Sequence, residues 1–459
     1  MSVAAVILLV LGALILGSLA FPVARRLWVF ELNALKYLFV WVTEGLGLRW
    51  VVARLTGRPY RTATFPLLLR RFAEDMGPTF IKFGQIIASS TGVFPKRWSE
   101  EFQKCLDRVR PFPFAEVERI LAEELGAEAA HLTDIDPTPL ASASIAQVHV
   151  AKRSDGGEDV VVKVQRPGIE ARVAADMRIM KFVARIAERF IKDADLVNPV
   201  GIVEDFESTL KEELDFRMEA KNLDQFNQIM AELGHKDVRA PRPGNDLTTA
   251  RVLVMERFHG VRVDNVEAIR SMSVDIEERL IKGMQAWFQC VLSYGFFHGD
   301  VHAGNLMLLD NNDVGFLDFG IVGRFNERQR YMVTDYVVAF ATGDYKTLAR
   351  VITEMGSVKG TIDQEAFARD LEKTYSPLLK MSFQDINYGE ILPRIQEVAS
   401  KHRMKMPKEF VLITKQMLYF DRYARLLAPN LNVFSDPRLV ASLMTEIMKA
   451  RMQAQAAPS

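Results

Sequence analysis

The spacing of apolar positions changes several times along the 459-residue chain, and each change predicts an element. From Val3 to Ala24 no charge interrupts a run of small and apolar residues. As a helix this run would reach ~33 Å, enough to cross a hydrocarbon core. Arg25 and Arg26 follow at once, with Lys36, Arg49, Arg54, Arg58 and Arg61 beyond. That bias places residue 25 onward on the cytoplasmic side. Ser18-Leu19-Ala20 also resembles a signal-peptide cleavage site, but a basic leader is missing and the apolar run is long for one. Leu27 to Trp50 mixes six aromatic residues with Glu31, Lys36 and Glu44. It suits a helix lying in a membrane interface or one packed on the protein.

Thr62 to Leu125 reads as helices broken at Gly77-Pro78, Phe94-Pro95 and Pro111-Phe112-Pro113. The period then shortens: Ser144 to Val150 and Asp159 to Val164 predict two strands joined by a turn at Ser154-Asp155-Gly156-Gly157. Long helices are expected over Ala171–Lys192 and, starting at a favourable proline, over Pro199–Met230. Arg251–Met255 predicts a further strand. Most of Val263–Lys449 reads as helical, apart from strand-like runs at Leu306–Leu309 and Val314–Leu317. Strands first, helices later and one connection near residue 255 predict an α+β, two-lobed protein-kinase-like fold, with a helical N-terminal extension and an N-terminal transmembrane helix. The expected organisation is an anchor at 1–26, an interfacial segment at 27–61, the helical extension at 62–130, an N-lobe at 131–256, a C-lobe at 257–449 and a disordered tail at 450–459.

Composition narrows this picture. Lysine plus arginine and aspartate plus glutamate both number 58, so no basic excess points to nucleic acid. Cys105 and Cys290 have no zinc or redox spacing and read as reduced thiols.

The chemistry is concentrated in His298-Gly299-Asp300-Val301-His302-Ala303-Gly304-Asn305, followed by Leu317-Asp318-Phe319-Gly320. Phosphoryl transfer needs a carboxylate beside the attacking hydroxyl and oxygen ligands for magnesium on the phosphates. Asp300 and Asn305 have the spacing of a kinase catalytic loop, and Asp318 stands where a DFG turn supplies the second metal ligand. A rival reading takes His298, Asp300 and His302 as a metal cluster. Lys163, in Val160-Val161-Val162-Lys163-Val164, matches the strand lysine that pairs with phosphates. Upstream, Leu140, Ala141, Ser142, Ala143, Ser144, Ile145, Ala146, Gln147 and Val148 overlay the kinase glycine-rich loop, with alanine at every glycine position. Each added Cβ disfavours positive φ and closest approach to phosphate.

Together with Lys82-Phe83-Gly84-Gln85 and Glu213-Leu214-Asp215, these motifs resemble the UbiB family of atypical kinase-like proteins, over roughly residues 62–430. The resemblance implies a kinase fold that binds ATP with Mg2+, and ATPase activity at membranes in support of coenzyme Q or related isoprenoid lipids. It implies that Lys82 and Gln85 cover the active site near Glu213 and Asp215, and that Lys163 pairs with Glu219. Asp300 would be the catalytic acid-base, with Asn305 and Asp318 holding metal. Residues Leu140–Val148 would roof the nucleotide, and Glu256 with nearby backbone would hold the adenine. The implied partners are membrane lipid, quinone precursors or a lipid-synthesis complex, and the implied location is the bacterial inner membrane with the kinase-like part facing the cytoplasm. The chain departs from the family in placing its apolar segment first and in carrying Ala303 where proline is frequent. Two other classes stand beside this reading: a nucleotide-regulated scaffold without catalysis, and a true protein kinase, against which the missing arginine before Asp300 and the missing A-P-E string argue.

Overall fold

The computed structural model describes residues 22–57, 59–60, 62–89, 96–102, 104–105, 110–190, 198–272, 274–358, 361–380, 394, 397–399, 401–402, 404–405, 408–431 and 436–456. Most of the apolar run Val3–Ala24 lies outside them. Among the described residues no helix is long and apolar enough to cross a membrane.

Helices α1 (Pro22–Gly45), α2 (Leu48–Thr56), α3 (Phe65–Met76), α4 (Pro78–Ser89), α5 (Lys96–Phe102) and α6 (Phe114–Leu125) come first. Strands β1 (Leu132–Thr133), β2 (Ala141–Ser142), β3 (Ala146–Arg153) and β4 (Asp159–Gln165) follow, then α7 (Ile169–Phe190), α8 (Pro199–Glu213) and α9 (Phe216–Leu233). The next stretch holds β5 (Val238–Arg239), β6 (Val252–Glu256), β7 (Gly260–Arg262), α10 (Val266–Ser271) and α11 (Ile276–Gln289). Around the catalytic string lie β8 (Phe296–His298), β9 (Leu306–Leu309), β10 (Val314–Phe316) and β11 (Val322–Arg324). Helices α12 (Glu327–Thr342) and α13 (Tyr345–Met355), strand β12 (Ser357–Val358), helix α14 (Gln364–Lys380), strand β13 (Met404–Lys405), and helices α15 (Lys408–Leu427) and α16 (Pro437–Ala456) complete the chain. Because α16 continues to Ala456, the tail expected from residue 450 is helical for most of its length. Its Ala, Arg, Met and Gln residues are good helix formers.

The chain divides into two compact units. The first gathers residues up to Glu123 with Asp136–His149 and Lys163–Leu214. Here α1 lies against α3 and α7. The Arg26 guanidinium forms an ion pair with the fully buried Asp176 of α7 and also donates to the Met76 carbonyl. Phe30 meets Phe72 edge-on at 5.5 Å, while Lys36 and Tyr37 both reach the Asp75 carboxylate. The segment beginning at Leu27 is therefore packed on the protein along one face. The opposite face is apolar and open: Leu32, Leu35, Leu38, Phe39, Val42 and Leu46 are all exposed.

The second unit gathers Glu124–Ile135, Val150–Val162 and Asp215 onward. Of the larger sheet, ordered β1-β3-β4-β6, this unit holds β1, β6 and the stretches Val150–Arg153 of β3 and Asp159–Val162 of β4, while β2, on β3, falls in the first unit. A four-stranded sheet runs β5-β10-β9-β7, with β10 parallel to β5 and antiparallel to β9. Helix α11 begins at Asp275, whose side chain accepts from the Glu278 amide, and ends in a π-helical turn over Cys290–Tyr294. Gly295, at φ 61°, reverses the chain into β8, which delivers His298. Strand β8 pairs with β11, His298 opposite Val322, and Phe297 lies so close over Gly323 that any Cβ there would collide with its ring.

Candidate active site

The long helix expected over Pro199–Met230 is two helices, the first closing in the first unit and the second opening the Asp215-onward stretch of the second. Glu213 closes α8 and Asp215 caps α9 in extended conformation, accepting from the Arg217 amide. An aspartate before a helical run is itself a start signal, so the break was readable. Glu213 and Asp215 consequently point to different neighbours. The Glu213 carboxylate, 4% exposed, meets the Lys82 ammonium at 2.9 Å. The Asp215 carboxylate takes two bonds from Arg217, 2.8 and 2.7 Å, and that guanidinium holds its pKa below the usual carboxylate range. The structure thus joins Lys82 to Glu213 within the first unit, whereas Asp215 serves a helix terminus. Gln85 sits half-buried one turn beyond Lys82 on α4. Gly84 has a packing reason: a Cβ there would stand 2.6 Å from the buried Phe102 ring.

The alanine-rich segment is a tight turn on β2–β3. The Ala143 amide donates to the Ala146 carbonyl at 2.9 Å, and the Leu140 amide to Val148 at 2.8 Å. Ser144, Ile145, Ala146 and Gln147 are buried, while Leu140, Ala141 and Ala143 are exposed. None of these residues has positive φ, so the turn has a shape that alanine holds without strain. Arg166, just past β4, fastens it. Its guanidinium donates to the Ala143 carbonyl (3.0 Å), the Ser142 hydroxyl (2.9 Å) and the Arg110 carbonyl (3.0 Å), while its own amide bonds Ile145 at 2.9 Å. Nothing in the residue pattern flagged Arg166. Lys163 is half-buried on β4.

In the second unit, the His298–Asn305 string is held through its peptide groups. Fully buried His298 accepts from the Asp300 amide at Nδ1 (3.0 Å) and faces the Leu317 carbonyl with Nε2 (2.7 Å). This pattern needs a neutral ring protonated at Nε2. Burial depresses its pKa in the same sense, partly opposed by the Leu317 hydrogen bond. Asn305 donates through Nδ2 to the Asp300 carbonyl at 3.0 Å, which leaves its Oδ1 as the acceptor a metal would use. Asp318 has φ 58°, one of four non-glycine residues with positive φ among those described. Such backbone strain persists where its surroundings enforce it, as at many functional sites. Helix α9, which carries the buried Glu219, also carries Asn222, whose amide donates to the Phe319 carbonyl at 2.9 Å. Glu256, expected near adenine, spends its carboxylate on Arg239 at 2.7 and 2.9 Å.

The donor set fits a kinase-type magnesium site, which takes one asparagine and one aspartate and leaves the rest to phosphate and water. It does not fit the rival cluster. Both His298 nitrogens are engaged, His302 accepts from the Gly304 amide, and no group of three His, Cys, Asp or Glu side chains among the described residues could hold a metal.

This fold and loop define an atypical kinase-like protein. The ABC1 atypical kinase-like domain matches residues 104–352 and the UbiB helical domain residues 371–432. A Mycobacterium tuberculosis protein described only as uncharacterised is 41% identical over 89% of this chain and 84% of its own. An uncharacterised aarF domain-containing protein kinase of Arabidopsis thaliana, described as chloroplastic, is 39% identical over 82% and 74%. A probable protein kinase UbiB of Marinobacter nauticus is 32% identical over 80% and 68%. A Mycobacterium tuberculosis protein solved in complex with erythromycin shares the fold, with TM-score 0.51 and 23% identity over 77% of this chain and 92% of that one. The chain belongs to the UbiB family of ABC1 atypical kinase-like proteins.

Proposed function

We propose that this protein is a membrane-held atypical kinase or ATPase that binds ATP with magnesium and supports ubiquinone or related isoprenoid-lipid biosynthesis or transport. The observation that carries the reading is the fastening of Asp300 between His298 and Asn305, with Asp318 left-handed in the following turn. A carboxylate on so constrained a backbone suits orienting or deprotonating an attacking hydroxyl or water, a role worth about 10²–10⁴-fold in rate. Asn305 and Asp318 would hold magnesium, which neutralises charge on the transferred phosphoryl group when bound. Lys163, with Glu219 as its partner, would contact the phosphates, Leu140–Val148 would cover the nucleotide, and backbone near Glu256 would receive the adenine. Lys82, Gln85, Glu213 and Asp215 would restrict access to the reacting phosphate. The pathway assignment rests on relatives named as UbiB kinases.

The membrane part is supported by helix α1. Residues 26, 30, 33 and 37 face the protein, while Leu27, Val29, Leu32 and Leu35 between them are exposed. An amphipathic helix whose apolar stripe is turned outward suits an interfacial position with the kinase-like part on the cytoplasmic face.

The test measures magnesium-dependent ATP turnover with and without lipid vesicles and quinone precursors. Turnover should require magnesium, rise on vesicles and fall about 100-fold or more in Asp300→Asn. Equal turnover in wild type and Asp300→Asn would overturn the reading.

A further inference from the structure

Helix α15 lies in the segment matched by the UbiB helical domain. Its residues Gln416, Phe420 and Tyr423 recur at i, i+4 and i+7 and so share one face. Phe420 sits edge-on to the buried Trp287 ring at 5.6 Å, and the Trp287 indole donates to the His298 carbonyl at 3.1 Å. Fully buried Gln416 reaches the catalytic string directly. Its Nε2 donates to the Gly299 carbonyl at 2.6 Å, and its Oε1 accepts from the Val301 amide at 2.8 Å. The Tyr423 hydroxyl donates to the Val301 carbonyl at 3.0 Å, and burial keeps that phenol protonated by raising its pKa.

Those two peptide groups flank Asp300. A backbone has two soft dihedrals per residue, and bonds to the groups on either side fix both. With His298 on the Asp300 amide and Asn305 on its carbonyl, every peptide polar group from Gly299 O to Val301 O is bonded to a side chain. A glutamine is suited to this task because its amide presents a donor and an acceptor in one plane, as a paired strand would. The amide orientation follows from its partners, since an N–H needs an acceptor and a C=O needs a donor.

We infer that Gln416, assisted by Tyr423, is a positioning residue that sets the direction of the Asp300 carboxylate, so that the helical segment completes the catalytic loop. This rests on the proposed role of Asp300. Any event that shifts α15 would pass to turnover through this amide rather than through nucleotide affinity.

The experiment compares Gln416→Leu, Gln416→Glu and Tyr423→Phe in the full chain by two readouts. One is hydrogen exchange in the segment around residues 297–304, which needs no activity. The other is ATP turnover per bound nucleotide, set against Mg–ATP affinity. Gln416→Leu should exchange faster and lose about tenfold or more in turnover per site with affinity within about twofold. Tyr423→Phe should do the same to a smaller degree. In Gln416→Glu the ionised carboxylate faces the Gly299 carbonyl, whereas the protonated acid restores a donor. Turnover relative to wild type should therefore recover as pH falls from about 8 to about 6, since burial raises a carboxyl pKa. A filler of volume would give no such pH signature. Unchanged exchange in Gln416→Leu overturns the inference, as does faster exchange with wild-type turnover. A wild-type protein with no turnover would overturn the function proposed above, and exchange alone would then decide the clamp.

Discussion

The His298–Asn305 string in the second unit and, in the first, the alanine-rich turn and the Lys82–Glu213 pair are all fastened, but by opposite means. Around Asp300 the fasteners are neutral and buried: His298, Asn305, Gln416, Tyr423 and Trp287, each on a peptide group. Around Ala143 and Glu213 they are the cations of Arg166 and Lys82. Neutral hydrogen bonds out of water barely respond to ionic strength, whereas the Lys82–Glu213 ion pair, 21% exposed at Lys82, is screened; Arg166 donates to carbonyl and hydroxyl oxygens. Under the proposed function, the contrast gives fixed geometry to the Asp300 carboxylate and a restraint built on cations to the turn proposed to cover the nucleotide.

The largest effects should come from the rigid region. Asp318→Asn removes a full negative charge from the proposed magnesium site and should lower Mg–ATP affinity by about 100-fold or more, while affinity without metal stays near wild type. Equilibrium titration with and without magnesium checks this. An equal loss in both conditions would mean that Asp318 acts on the fold and not on metal.

Next comes the Lys82–Glu213 pair. Glu213 is 4% exposed and Lys82 21%, so Lys82→Met strands a buried carboxylate and should cost about 2–3 kcal/mol in unfolding free energy. Lys82→Met with Glu213→Gln should cost less than the single change, because no uncompensated charge remains. A double-mutant cycle from denaturant midpoints reads the coupling. Additive losses would show that the two side chains are neighbours without being partners.

The sequence made the second unit more legible than the first. His298 through Asn305 and Leu317 through Gly320 are contiguous strings whose spacing is their geometry, so the peptide bonds at Asp300 could be anticipated from the order of residue types. Gln416 could not, because a single glutamine on an amphipathic helix carries no signal, and its partners lie 115 and 117 residues away. The same holds for Arg26 and Asp176, 150 residues apart, which decide which face of α1 is packed. The helix break at Leu214 is masked in the sequence because the apolar period runs across it, even though Asp215 is a good capping residue. Local chemistry was readable. What joins distant elements was not.

Arg166 should give a smaller and more selective effect than Lys82. Arg166→Met removes three charge-assisted bonds from the turn and should weaken nucleotide binding by about tenfold, with a loss of about 1–2 kcal/mol in stability. Nucleotide titration and denaturant midpoints of the variant read the two losses separately. Wild-type affinity in Arg166→Met would mean that Arg166 is not what restrains the turn.

The smallest expected effect is at Ala143 itself, and it sharpens the comparison most. The alanines of this turn take no positive φ, and Ala143 is exposed, so its methyl group relieves no strain and fills no core. Its contribution is to narrow the conformations of the turn before nucleotide arrives. Ala143→Gly should therefore cost about 0.5–1 kcal/mol through the freedom of the unfolded chain, and little through lost contacts. Arg166 and the Ala143–Ala146 bond still hold the turn in the variant, so most of its shape should persist. What changes is backbone access to the phosphates. The balance between ATP and ADP binding should shift by about two- to fivefold, with any autophosphorylation rising, because a glycine can approach a γ-phosphate that an alanine holds off. Arg166→Met combined with Ala143→Gly should exceed the sum of the single changes, since each removes what limits the other. Strict additivity, with no shift in the ATP-to-ADP ratio, would mean that the alanines serve strand pairing alone and that restraint of the nucleotide lies with Lys82 and Glu213.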